Sequence, residues 1–140
     1  MALTLRSHLI TAMKSNVDVC GRLRIVRREE SLRSRQYRGV FIRVIYEGDS
    51  LEILRTEMDS KSALEDHEIG LFPVVHFIVE GSPVLLVGNQ SSDLMPGDSI
   101  NLRADEKYRI SNPASSRSVI LSVLFKGSEP EEIQVHQGST

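Results

Sequence analysis

From residue 39 onward, short runs of β-branched and aliphatic residues alternate with turn-forming residues. The stretch "GVFIRVIYEGDSLEILRTEM" (39–58) is two such runs around Glu47-Gly48-Asp49-Ser50, which predicts a hairpin. The stretch "FPVVHFIVEGSPVLLVGNQ" (72–90) repeats the pattern around Glu80-Gly81-Ser82-Pro83. In "LMPGDSINLRADEKYRISNP" (94–113), a Pro-Gly-Asp turn, an apolar strand, a charged turn and a second strand read as one more hairpin, and "RSVILSVLFKG" (117–127) supplies a final strand. Strands of this length at short, regular intervals predict an all-β sandwich or barrel.

The two ends differ from this pattern. Leu5, Leu9, Ile10 and Met13 recur at helical spacing, so residues 3–14 predict a short amphipathic helix that packs on the barrel or on a partner subunit. Residues 22–38 carry seven arginines: Arg22, Arg24, Arg27, Arg28, Arg33, Arg35 and Arg38. "GRLRIVR" (21–27) alternates, which predicts a solvated edge strand with Leu23 and Val26 toward the inside. A phosphate or nucleic-acid patch is the competing reading, weakened by Glu29 and Glu30. Residues 128–140 are polar and read as a tail. The expected organisation is one domain over 1–127, with the helix in 1–16 and the chemistry-bearing core in 60–125.

Composition narrows the function classes. A chain of 140 residues with 40% hydrophobic and 26% charged residues suits one soluble domain with a single core. A net charge of −2 gives no global field for nucleic acid or acidic membranes. Aromatic residues are 5% and tryptophan is absent, so no stacking platform for single strands is evident, and no partnership with nucleic acid or membrane is expected. The single cysteine, Cys20, excludes an intrachain disulfide. The opening "MALTLRSHLITAMKSN" lacks the order of a secretory signal, so a cytoplasmic location is expected.

Residues 60–125 resemble the cupin family of small jelly-roll barrels. That family's second motif is a glycine, five residues, Pro-x-Gly, two residues, a histidine, three residues and an asparagine. Gly97 and Asn112 match at the full spacing, while Arg103, Asp105 and Tyr108 stand where the proline, second glycine and histidine belong. The first motif ends in an apolar run and Glu-Gly, as "HFIVEG" (76–81) does. Counting back from Gly81, the family glutamate falls on Val74, its His-x-His pair on His67 and Ile69, and its opening glycine on Lys61. The resemblance implies a cupin-like double-stranded β-helix (jelly-roll) barrel and a homodimer. In the family, three imidazoles and a carboxylate hold iron, manganese, nickel or zinc. Here only His67 keeps a ligand identity, because valine and isoleucine have no lone pair to give and a tyrosine ligates only as phenolate.

Strand alternation then sets the expected interior. If Val74 points inward, so do His76 and Ile78. His67 would share the inner face with Ile69, and Tyr108 with Ile110. Three readings follow. The first is a metal-free module, regulatory or accessory, that binds a small organic ligand among His67, His76, Tyr108, Ile69, Val74 and Ile110. The second is a metal-dependent oxygenase or isomerase with a site rebuilt from His67 and His76, with Tyr108 or Glu57 in support. The third is an interaction domain whose barrel is filled, with His76 and Tyr108 as hydrogen-bonding core residues. No Gly-x-Ser-x-Gly elbow or phosphate loop occurs, and Cys20, His8 and His136 have no recognisable catalytic partners in the sequence.

Overall fold

The computed structural model of the chain describes residues 25–127. The expected helix over 3–14, the tail over 128–140, and His8, Cys20, Arg22, Leu23, Arg24 and His136 lie outside the described residues. Ten strands and one short helix follow in order: β1 (Arg33–Tyr37), β2 (Val40–Glu47), β3 (Leu51–Met58), β4 (Ser62–Glu65), α1 (Asp66–Ile69), β5 (Val74–Glu80), β6 (Val84–Val87), β7 (Gln90–Asp93), β8 (Ser99–Leu102), β9 (Arg109–Asn112) and β10 (Ser118–Phe125). They form a six-stranded sheet, β1-β2-β3-β10-β5-β8, and a four-stranded sheet, β4-β9-β6-β7. Every pairing is antiparallel.

The hairpins have local causes. Arg38 and Gly39 link β1 to β2 with φ of 39° and 83°, the double positive-φ geometry of a tight turn whose twist matches its strands. Gly88 (φ 59°) opens the two-residue turn between β6 and β7. The expected β2–β3 hairpin is present, closed by the Gly48 amide donating to the Leu51 carbonyl at 2.9 Å.

Two expected hairpins are corners instead. β5 and β6 belong to different sheets, and so do β8 and β9. At the first corner, Gly81 has φ 94° and passes so close to β10 that a Cβ would lie 2.3 Å from Ser118 Oγ and 2.8 Å from the Arg117 carbonyl. At the entry to β8, Met95-Pro96-Gly97-Asp98 is a turn with proline second and a positive-φ glycine (99°) third, closed by Asp98 N–H donating to the Met95 carbonyl at 3.0 Å. The turn residues were legible, but a turn does not dictate that its flanking strands pair. Nor does "GRLRIVR" contribute a strand among the described residues: Arg27 to Glu30 form a turn, and the edge strand starts at Arg33. There Arg33 pairs with Glu47 (2.7 Å) and Glu52 (2.9 Å).

The core lies between the sheets. Val40, Ile42, Leu54, Met58, Val74, Ile78, Ile120 and Leu124 from the larger sheet meet Leu64 and Ile110 from the smaller one. Burying each such aliphatic side chain contributes about 1.5–3 kcal/mol. Asn112 ties the ends of this core together. Its Nδ2 donates to the carbonyls of Met58 (3.0 Å), Asp59 (3.0 Å) and Ser116 (2.9 Å), joining the β3–β4 corner to the β9–β10 connection. Among the described residues, no helix is long and apolar enough to cross a membrane.

Candidate functional site

The inner face of β5 presents Val74, His76 and Ile78, all buried, as the pleat requires. β10 aligns Ser122 directly with His76. His76 Nδ1 lies 2.7 Å from Ser122 Oγ, and its Nε2 lies 2.9 Å from the Tyr108 hydroxyl. Tyr108 reaches in from the connection just before β9, and its ring meets the imidazole edge-on at a centroid distance of 5.5 Å. A phenol is a better donor than a serine hydroxyl. The favoured arrangement therefore has Tyr108 O–H donating to Nε2 and Nδ1–H donating to Ser122 Oγ. Both ring nitrogens are then committed within the protein.

Burial sets the protonation of this chain of groups. It pushes the His76 pKa down from 6.5 to about 4, so the imidazole is neutral at pH 7. Burial pushes the Tyr108 phenol well above its ordinary value, with the nearby Asp66 carboxylate acting in the same direction. Tyr37, on the inner side of β1, is raised to about 12 by burial, with Glu68 adding to it. All three rings are therefore uncharged. Tyr37 Oη and the fully buried Thr56 Oγ1 have no hydrogen-bond partner among the described residues. Thr56 stands on the inner face of β3, level with Ile42 on β2 and Ile120 on β10.

Solved structures with the same two-sheet wrapping are cupin barrels. A cupin 2 conserved barrel domain protein from Salinispora arenicola CNS-205 superposes with a TM-score of 0.63 at 11% identity, covering 74% of this chain and 89% of that one. The chain has the cupin fold. The polyketide cyclase RemF from Streptomyces resistomycificus superposes with a TM-score of 0.63 at 15% identity over 77% of this chain and 82% of that one. The Cupin_2 domain of an XRE family transcriptional regulator from Enterobacter cloacae gives 0.56 at 12% identity over 63% of this chain and 97% of that one. No protein-family model matches the sequence, and no curated protein matches it.

A cupin metal needs several donors converging on one point, and the residues at the cupin ligand positions do not fit it. His67, expected inside, is 70% exposed and lies 3.1 Å from Glu68 Oε2. Residues 66–69 wind into a helical turn, ended by Gly70 (φ 110°), instead of continuing β4, so the strand alternation that would have turned His67 inward is lost. Ile69 is buried on that turn, and Val74 and Ile110 are buried on their strands, but none carries a donor. Glu57 lies on the outer face of β3, between the buried Thr56 and Met58, and faces Arg55 and Arg117. Among the described residues, no group of three His, Cys, Asp or Glu side chains is placed to hold a metal ion. The rebuilt His67/His76 site is therefore not assembled: His76 is fully buried and His67 stands at the surface.

Sequence reasoning placed His76 and Tyr108 inside but did not find Ser122, Tyr37 or Thr56. Ser122 interrupts the apolar run "VILSVLF", and a polar residue in phase with Ile120 and Leu124 was the available signal. Thr56 breaks the Leu54–Met58 alternation in the same way.

Proposed function

We propose that this cupin-fold chain is a metal-free binding module, regulatory or accessory in role, that takes a small, non-anionic organic molecule between its sheets. The observation that carries the reading is a set of buried hydroxyls with no partner among the described residues, Tyr37 Oη and Thr56 Oγ1 on a largely aliphatic inner face, with Ser118 Oγ at the start of β10. An unpartnered buried hydroxyl costs about 1–3 kcal/mol, which a polar atom of a ligand would relieve. Glu68 and Glu65 near Tyr37 and Asp66 near Tyr108 disfavour an anionic ligand, with Arg35 partly offsetting them beside Tyr37. His76 is engaged by Ser122 and Tyr108, which supports a positioning role for the imidazole. The cupin domain of the Enterobacter cloacae regulator is a solved example of this fold serving within a transcriptional regulator, which is the precedent for an accessory role.

The test is native mass spectrometry and metal analysis of untagged protein, followed by melting with cyclohexanol and benzyl alcohol as probes. Expected are metal far below one equivalent and stabilisation by a probe that Tyr37→Phe and Thr56→Val remove. Close to one equivalent of iron, manganese, nickel or zinc, lost in His76→Ala, would establish the metal-enzyme reading instead. No bound organic mass and no stabilisation by either probe would leave a filled structural barrel.

A further inference from the structure

The outer face of the six-stranded sheet carries an apolar patch at its centre. Val123 on β10 is flanked by Ile53 on β3 and Val75 on β5, and Leu121 is flanked by Phe77 on β5. Phe77 and its neighbour Val79 are 41% and 53% exposed. On this face, the register places Arg55 beside Leu121 and Arg43 beside Arg55.

Those two arginines hold the start of the described chain. Arg43 Nη1 donates to the Glu29 carbonyl at 2.7 Å, and Arg55 Nη2 donates to the Arg28 carbonyl. The Arg43 guanidinium also stacks over Phe41 at 4.0 Å, which fixes it against the sheet. The backbone at residues 28–29 is thereby strapped to the outer face of β2 and β3. Strands in a sheet are about 4.8 Å apart, so β5 lies only about 10 Å beyond β3. The patch begins beside the strap.

We propose that residues 3–14 of the same chain cover this patch, with Leu5, Leu9, Ile10 and Met13 against Phe77, Val79, Leu121 and Val123. The residues at those four positions have the spacing of one helical face. A helix over 3–14 would be about 18 Å long, enough to cross the patch from β3 to β5. Residues 15–24 can extend to about 33 Å, ample for the return from the strap. The inference is independent of what binds between the sheets, because it concerns the opposite face of β5 and β10.

The experiment places the photo-cross-linker p-benzoylphenylalanine at Phe77, and separately at Val79, in the full chain. Each protein is irradiated as an equal mixture of ¹⁵N-labelled and unlabelled chains, and the cross-links are mapped by mass spectrometry. Cross-links within one isotope class from Phe77 or Val79 to residues 3–14, lost in Leu9→Asp/Ile10→Asp, are the expected result. Mixed-isotope cross-links would show that a second copy occupies the face and would overturn the intramolecular assignment. Cross-links that avoid residues 3–14, or that persist unchanged in the Leu9→Asp/Ile10→Asp chain, would overturn it as well.

Discussion

Replacing His76 by glutamine should remove the part of the protein's loss of stability between about pH 6.5 and about pH 4 that comes from the buried imidazole. In the folded chain, burial holds the imidazole neutral down to about pH 4, whereas in the unfolded chain it titrates near 6.5. Between those values the unfolded state binds more protons than the folded state. The unfolding free energy therefore falls as the pH falls, at up to about 1.4 kcal/mol per pH unit. The contribution is fully present above 6.5, lost progressively as pH drops toward 4, and constant below that. The displacement from 6.5 to about 4 corresponds to about 3 kcal/mol, a large fraction of the ~5–15 kcal/mol that holds a small domain together. Urea unfolding of the parent and of His76→Gln, at about pH 7 and about pH 4.5, reads the difference directly. Glutamine keeps polar atoms near Ser122 and Tyr108 but does not titrate, so the comparison cancels the acid loss due to carboxylates. Equal losses of stability in the parent and in His76→Gln would refute the reasoning and would mean that the imidazole is solvated in the folded state.

Other expectations test the neighbouring parts of the frame. Tyr108→Phe should cost about 1–3 kcal/mol in urea unfolding because it strands His76 Nε2, whereas Tyr37→Phe, which removes a buried hydroxyl that has no partner among the described residues, should stabilise the ligand-free protein by up to about 1–3 kcal/mol. Gly81→Ala should cost about 2–5 kcal/mol from left-handed backbone strain and collision with β10, while Gly88→Ala, which meets nothing within 4 Å, should cost only about 1–2 kcal/mol; thermal melts compare the two. Asn112→Ala should destabilise by about 2–3 kcal/mol and raise hydrogen exchange in the β3–β4 corner and the β9–β10 connection together, because one side chain holds both.

How much could be read beforehand differs from residue to residue. Gly97 and Asn112 were placed by motif spacing alone, and each has a geometric role: a positive φ in a Pro-Gly turn, and three backbone carbonyls bound at once. The inward pointing of Val74, His76 and Ile78 followed from a two-residue period with no knowledge of partners. His67 failed because the period was carried through a segment that winds into a helical turn, where alternation no longer applies. Ser122 was out of reach for another reason. Its contact with His76 depends on the register of two strands 46 residues apart, which no local pattern fixes. The corners at Gly81 and between β8 and β9 misled for a similar reason, since a turn is local and the choice of sheet is not.

The position of β10 has a consequence for how the chain is made. The last strand of the described sequence is inserted between β3 and β5, at the middle of the six-stranded sheet. During synthesis the β1-β2-β3 meander emerges first and can pair locally, but β5 and β8 have no link to it until β10 leaves the ribosome. Until then β3 and β5 each offer an open edge of unsatisfied backbone groups, the configuration that invites pairing with other nascent chains. Completion of the sheet is therefore close to all-or-none and waits for β10. Chains halted before residue 118 would lack the strand that joins the halves, and they are the species on which chaperones and proteases would act.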